Sequence, residues 1–252
     1  MTEPLPPIRV LAAGSLRHAL PAIIEAFGAE TGIAASLSLG PAGLLRERIE
    51  AGEAFDLFAS ANMAHPQRLA AVGLAQPPTC FARNRLCIVA RAELGLTESN
   101  FLSVLADPTV RIGTSTPGDD PAGDYAFEMF DRIEAKQPGL GIDLKRRAQK
   151  LVGGRNTPPR PPDRGPGWAI KEGLVDLMVS YWSNVRLSTD DPAFSVVPVP
   201  PMLAPTINYG VALAPVADEA ARRLHDFLLS DRSWPILTAT GFQPRLPRDD
   251  LR

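Results

Sequence analysis

The chain is poor in cysteine and lacks the clusters of cysteine and histidine that hold metal ions. Its 252 residues include only two cysteines, Cys80 and Cys87. We interpret both as small buried residues that flank the start of a strand, and a disulfide is the alternative in an oxidising compartment. The three histidines, His18, His65 and His225, are scattered along the chain and are interpreted as solvated. These residues predict no metal or cofactor site.

Long apolar runs and an excess of one charge are also absent. No apolar segment approaches the roughly 20 residues of a membrane span. The net charge of −2 argues against a nucleic-acid partner and against a polybasic membrane surface. Residues 1–7 lack the basic and apolar regions of a signal peptide. We therefore expect that the protein is cytosolic or that a leader was removed before this numbering begins.

Recognisable catalytic motifs are missing as well. The chain has no P-loop and no G-x-G-x-x-G motif after a strand. Ser115 does not form a nucleophile elbow, because Pro117 stands where the second glycine belongs. Asp119 and Asp120 lie in a Gly/Pro-rich turn and are interpreted as turn formers rather than an acid pair. We predict a binder rather than an enzyme, with a hydrolase or transferase that uses Ser15 as nucleophile as the alternative.

Strand-turn-helix units repeat along the first part of the chain. Ile8–Leu11 is a short β-branched strand, and apolar residues at helical spacing follow from Leu16 to Phe27. Two further strands, at 33–39 and 55–59, each lead through a polar or glycine-rich turn into another helix. Three consecutive units of this kind predict a parallel sheet.

The turns of a parallel sheet meet at its carboxyl edge, which makes them candidates for a binding site. Ser15 is predicted at or next to a helix N-cap, where first-turn amides and the helix dipole favour an anion. The alternative is that Ser15 only caps the helix. Ala42, Gly43 and Asn62 belong to the next two turns and are predicted to converge with Ser15.

A second series of units follows in the middle of the chain. A strand at 110–113 leads through a long turn into a helix that begins at Pro121, a residue suited to the first helical turn. Residues 175–184 are predicted as a strand that ends in another turn. Tyr181 is therefore expected at the same sheet edge as Ala122.

The end of the chain is predicted to return to the first series. Residues 207–214 form a strand that is expected to pair with the strand at 86–90. We predict two α/β lobes, one formed by residues 8–84 and 214–252 and the other by residues 85–213.

The stretch from Leu151 to Trp168 is rich in proline and glycine and is predicted to be irregular. A loop of this length in a compact protein is often functional. Arg155, Arg160 and Arg164 are candidates for contact with an anion, and simple solvation is the alternative.

Taken in order, several segments resemble the periplasmic molybdate-binding components of ABC importers, which are type II solute-binding proteins. The matching segments are residues 12–16, 49–52, 55–62, 121–126, 181–184, 209–213, 227–230 and 241–242. The resemblance implies a two-lobed periplasmic-binding-protein-like α/β fold, in which each lobe has a mostly parallel sheet flanked by helices and the ligand lies in the cleft between the lobes. It also implies a monomer in the periplasm that delivers molybdate or tungstate to an ABC permease.

The same resemblance implies a donor set without a counter-charge. Ser15 matches the serine of the first lobe, Ala122 the backbone amide of the second-lobe Pro-Ala-Gly turn, and Tyr181 the tyrosine. Residues 40–43, Gly-Pro-Ala-Gly, stand where the family has a serine-rich turn. Another small anion as ligand is therefore an alternative. A cytosolic ligand-sensing domain is the other alternative, which the signal-peptide features missing from residues 1–7 would suit.

Overall fold

The computed structural model describes residues 6–158, 167–185 and 191–243. Short 3-10 turns lie at Gly14–Leu16 and Ala92–Leu94. The helices and strands are, in chain order, β1 (Ile8–Ala13), α1 (Leu20–Thr31), β2 (Ala35–Gly40), α2 (Ala42–Glu50), β3 (Leu57–Ser60), α3 (Ala64–Ala71), β4 (Thr79–Asn84), β5 (Leu86–Arg91), α4 (Phe101–Ala106), β6 (Ile112–Ser115), α5 (Pro121–Lys136), α6 (Leu140–Arg147), β7 (Gln149–Val152), α7 (Trp168–Lys171), β8 (Leu177–Tyr181), α8 (Trp182–Val185), β9 (Phe194–Pro198), β10 (Ile207–Leu213), α9 (Glu219–Leu229) and α10 (Trp234–Ala239). No helix within these described ranges is both long and apolar enough to span a membrane.

The chain divides into two compact units. The first combines the residues up to Arg83 with those from Asn208 onward, and the second runs from Asn84 to Ile207. Each unit contains one five-stranded sheet with helices packed on it.

The sheet of the first unit has the order β2-β1-β3-β10-β4. β1 is parallel to both β2 and β3, whereas β10 is antiparallel to β3. Every residue of β1 except Arg9 is buried, as expected for a strand covered by helices on both faces. α1 contributes Leu20, Ile23 and Phe27 to the core and ends at Gly32, whose φ of +71° favours glycine.

The sheet of the second unit has the order β7-β6-β8-β5-β9. β6 is parallel to β7 and β8, and β5 is antiparallel to β8 and β9. α5 begins at Pro121, as the sequence predicts, and Asp120, which was interpreted as a turn former, is its N-cap. Its buried stripe includes Met129 and Ile133.

The prediction that the strand at 207–214 pairs with the strand at 86–90 is wrong. β10 pairs with β3 in the first unit, and β5 lies between β8 and β9 instead. Residues 208–213 consequently belong to the first unit and not to the predicted 85–213 lobe. The sequence of an apolar strand that is buried on both faces does not specify which strand pairs with it. Periodicity alone therefore did not distinguish the two sheets.

The stretch predicted as irregular is partly regular. Leu151 and Val152 end β7, and α7 begins at Trp168. α6 was not predicted at all, because Leu140 and Leu144 are its only large buried apolar residues. Gly141 allows α6 to approach α5 closely, since a Cβ there would lie 2.1 Å from the carbonyl oxygen of Phe130.

Candidate functional site

Ser15 lies at the carboxyl end of β1, in the 3-10 turn between that strand and α1. It is not the N-cap of α1, because the helix begins at Leu20 after Ala19, which offers no side-chain cap. The capping prediction is therefore wrong. Ser15 is 8% exposed, and its Oγ lies 2.8 Å from the hydroxyl oxygen of Tyr209.

Tyr209 is the hydrogen-bond partner of Ser15, and the sequence did not predict this contact. It lies in β10 and is fully buried, with its ring edge-on to Phe81 and Phe242 at centroid distances of 6.2 and 5.2 Å. A buried tyrosine hydroxyl needs a hydrogen-bond partner. The phenol of Tyr209, placed in a strand whose other residues are aliphatic except for Asn208 and Gly210, was the available signal.

The N-terminus of α2 lies beside the Ser15 turn, because Ala13 of β1 is in register with Gly40 of β2. Pro41 precedes the helix in an extended conformation, and no described side chain caps it. The first-turn amides of an α-helix have no partner within the helix. Those of Ala42 and Gly43, both buried, lie at the positive end of the helix dipole, which favours negative charge.

Asn62 follows β3, whose Ala59 is in register with Ala12 of β1. Its Oδ1 accepts hydrogen bonds from Ser60 Oγ at 3.1 Å and from the backbone amide of His65 at 3.1 Å. The Asn62 side-chain NH2 group has no partner in the part of the chain that the structure describes. The carbonyl oxygen thus orients the side chain and leaves its nitrogen as a donor.

Arg17 adds a positive charge at the same edge, which was not predicted. Its Nε donates to the carbonyl oxygen of Gly14 at 2.7 Å. A Cβ on Gly14 would lie 3.4 Å from Arg17 Nη2 and 3.8 Å from the Gly40 oxygen, so the two turns and the guanidinium are close together. The first unit therefore brings Ser15, the α2 amides, Asn62 and Arg17 to one sheet edge.

In the second unit, the amide of Ala122 is already occupied. Asp120 accepts the Ala122 amide on Oδ1 at 3.1 Å and the hydroxyl of Ser115 on Oδ2 at 2.7 Å. Its carbonyl oxygen also accepts the amide of Gly123 at 2.9 Å. The Ala122 amide is thus bonded within its own turn, whereas the Gly-Pro-Ala-Gly turn leads into a helix N-terminus without a side-chain cap.

Arg155 also contacts this turn of the second unit. Its backbone amide and guanidinium donate to Asp119 at 2.9 and 2.7 Å, and this pairing lowers the pKa of the carboxyl. Gly153, with φ +75°, passes so close that a Cβ would lie 2.3 Å from Ser115 Oγ. Arg160 and Arg164 lie outside the described residues.

Tyr181 ends β8, which runs parallel to β6, so it lies at the same sheet edge as the Asp120 turn. It is 1% exposed, and its ring is edge-on to Tyr125 at 6.4 Å.

The interpretation of the histidines as solvated is wrong for His65. This residue is 7% exposed in α3, and burial lowers its pKa from 6.5 to about 4. Apolar residues, Ala64 and Pro66, flank it in the sequence, and tertiary packing covers it. Cys80 and Cys87 do not form a disulfide, and burial raises the pKa of the Cys87 thiol. Across residues 6–158, 167–185 and 191–243, no group of three or more metal-ligating side chains is arranged to hold an ion.

The chemistry of the first-unit edge suits hydrogen bonding better than nucleophilic attack. Ser15 is paired with a phenol, and nucleophilic serines are activated by an adjacent general base. Hydroxyl and amide donors together with a nearby guanidinium match the oxygens of a small anion.

Comparison with known proteins gives three kinds of match. The profile of the family described as bacterial extracellular solute-binding protein matches residues 8–243. The Pasteurella multocida (strain Pm70) protein PM1146 is 35% identical over 240 residues, which cover 94% of this chain and 98% of that protein.

Solved structures share the fold at low identity. The periplasmic molybdate-binding protein of Azotobacter vinelandii is 20% identical with a TM-score of 0.76, over 96% of this chain and 100% of that one. The sulfate-binding protein SubI of Mycobacterium tuberculosis H37Rv is 17% identical with a TM-score of 0.77, over 96% and 88%. AfuA of Actinobacillus pleuropneumoniae, with fructose-6-phosphate bound, is 13% identical with a TM-score of 0.71, over 94% and 83%. The fold is that of the two-lobed periplasmic binding proteins.

Proposed function

Because the chain belongs to the family of bacterial extracellular solute-binding proteins, we propose that it captures a small oxyanion in the periplasm and delivers it to the permease of an ABC importer. Molybdate and tungstate are the proposed ligands, and the protein is proposed to act as a monomer. The resemblance of the ordered segments supports this choice, as does the likeness to the Azotobacter vinelandii protein.

The observation that carries the proposal is the group of donors at the edge of the first unit. Ser15 Oγ, the uncapped amides of Ala42 and Gly43 and the side-chain nitrogen of Asn62 all belong to turns after neighbouring parallel strands. Fixed dipoles of this kind replace the hydration of an anion without a neutralising ion pair. Arg17 adds a favourable field nearby.

The second unit is proposed to contribute Tyr181 and the turn that contains Ala122. The Asp120 carboxylate opposes an anion at this turn, because it carries a negative charge and uses the Ala122 amide. We therefore propose that the first unit supplies most of the binding energy and that Tyr181 adds a hydroxyl donor.

Isothermal titration with molybdate, tungstate, sulfate and fructose-6-phosphate tests the proposal. We expect molybdate and tungstate to bind most tightly. We also expect Ser15→Ala to weaken their binding by about 10- to 100-fold, because a charged acceptor loses a donor. Ser233→Ala is the matched control, because it removes a buried hydroxyl of the same unit that donates to Leu228.

The outcomes separate the parts of the proposal. Preference for sulfate would contradict the choice of molybdate and tungstate but keep the oxyanion class. Binding of fructose-6-phosphate alone would replace the inorganic ligand by an organic phosphate. The oxyanion proposal would be abandoned if none of the four compounds gave heat of binding or a shift in melting temperature.

A further inference from the structure

The hydroxyl pair formed by Ser15 and Tyr209 joins two distant parts of the first unit. The two oxygens lie 2.8 Å apart, although 194 positions separate the residues in the chain. Both side chains are buried, with 8% of Ser15 and none of Tyr209 exposed. Such a contact is fixed by the fold and not by local sequence.

The ring of Tyr209 is held in place by aromatic packing. Phe81 and Phe242 meet it edge-on with interplanar angles of 87° and 85°. β10 lies between β3 and β4, so the backbone of Tyr209 is also inside the sheet. The phenolic oxygen therefore has one location relative to the Ser15 turn.

The chemistry of the two hydroxyls gives the hydrogen bond a direction. A phenol, with a pKa near 10, is a stronger acid than an alkyl alcohol and is the better donor. The alcohol oxygen of Ser15 is the better acceptor. When Tyr209 donates to Ser15 Oγ, the Ser15 proton points elsewhere, and its own donor strength rises because linked hydrogen bonds polarise one another.

We infer that Tyr209 is a positioning residue for Ser15: its hydroxyl donates to Ser15 Oγ and thereby directs the Ser15 proton toward a bound oxyanion. This inference rests on the proposed function, because it assigns Tyr209 a part in that same site. An otherwise freely rotating serine hydroxyl is fixed as a donor before the ligand arrives, which lowers the entropic cost of binding.

A double-mutant cycle measured by isothermal titration with molybdate and tungstate tests the inference. The proteins are wild type, Ser15→Ala, Tyr209→Phe and the double variant, all as full chains. We expect Tyr209→Phe to weaken binding by about three- to tenfold in the presence of Ser15, because one neutral hydrogen bond is lost. In the Ser15→Ala background we expect Tyr209→Phe to have no further effect.

Two controls separate positioning from a general structural effect. Ser233→Ala removes a hydrogen bond to Leu228 in the same unit, so we expect it to lower stability and to leave the dissociation constant unchanged. Phe242→Leu keeps both hydroxyls but loosens one wall around the ring. If Tyr209→Phe does not fold, Phe242→Leu replaces it in the double-mutant cycle with Ser15→Ala. The losses of affinity in that cycle are also expected to be non-additive.

Each result decides between the possibilities. Equal and additive losses from Ser15→Ala and Tyr209→Phe would overturn the positioning role and leave the proposed function intact, as would wild-type affinity in Tyr209→Phe. If wild type bound none of the oxyanions, both the proposed function and the inference would be refuted.

Discussion

Replacement of Asp120 by asparagine changes the charge at the start of α5 while keeping the shape of the side chain. The asparagine Oδ1 can still accept the Ala122 amide, which is 3.1 Å from Asp120 Oδ1. Ser115 can direct its proton to the carbonyl oxygen of Val152, which it already reaches at 3.1 Å, and accept from the new NH2 group. We therefore expect a stability loss of only about 1 kcal/mol.

The effect on anion binding is larger and has the opposite sign. For a dianion roughly 6 Å from the carboxylate, with an effective dielectric constant of about 40 to 80, the repulsion is about 1 to 3 kcal/mol. Its removal in Asp120→Asn corresponds to binding about 5- to 100-fold tighter. This expectation depends on the proposed contribution of the second unit to the site.

Isothermal titration with molybdate at low and high salt measures the gain, which is expected to shrink as salt screens the charge. Asp218→Asn is the matched control, because Asp218 caps α9 in the same manner through the Ala221 amide at 2.7 Å. It is expected to cost similar stability and leave affinity unchanged. Unchanged or weaker binding in Asp120→Asn, with an intact melting transition, would refute the electrostatic reasoning.

Three further predictions concern the stability of the individual units. The Asp176 side chain is 3% exposed and pairs with Arg111, which lowers the pKa of its carboxyl. The contribution of this pair to the free energy of unfolding is therefore complete above pH 4 and is lost as the pH falls through the lowered pKa. Asp176→Asn should cost about 2 kcal/mol at pH 7 in urea unfolding and show a smaller loss at pH 3. His65 is neutral when buried, with a pKa of about 4, so unfolding should become easier as the pH falls from 6.5 toward 4, and His65→Gln should remove this slope. Gly153→Ala should cost about 2 kcal/mol or more because its Cβ meets the turn before α5, whereas Gly173→Ala, with φ +68° and open space, should cost only about 1 kcal/mol in the same melts.

Local patterns in the sequence predicted much of both units. The apolar strand Ile8–Leu11 and the helix that follows it appear as β1 and α1, and the Pro121 signal marks the start of α5. These features depend on residues within one or two turns of each other. Propensity, periodicity and capping chemistry act over that range, so they can be recognised without knowing which distant segment packs against the element.

The candidate site was only partly predictable for the same reason. The sequence order of strands and turns predicted that Ser15, Ala42, Gly43 and Asn62 lie at one edge, which is where the first unit has them. The family resemblance implied that the Ala122 amide belongs to the donor set. The local residues did not reveal that the Asp120 carboxylate accepts a hydrogen bond from that amide. An aspartate at this position can either form a turn or cap the helix, and the sequence is compatible with both.

By itself, the amino-acid sequence determined the alternation of strands and helices, the class of fold and the turns that end the parallel strands. Tertiary structure alone decided that β10 joins β3, that Tyr209 reaches Ser15 and that His65 is buried. Each of these depends on which apolar faces pack together across long separations in the chain. Hydrophobic burial is non-directional and does not specify which residues meet, so these contacts are defined only in the folded chain.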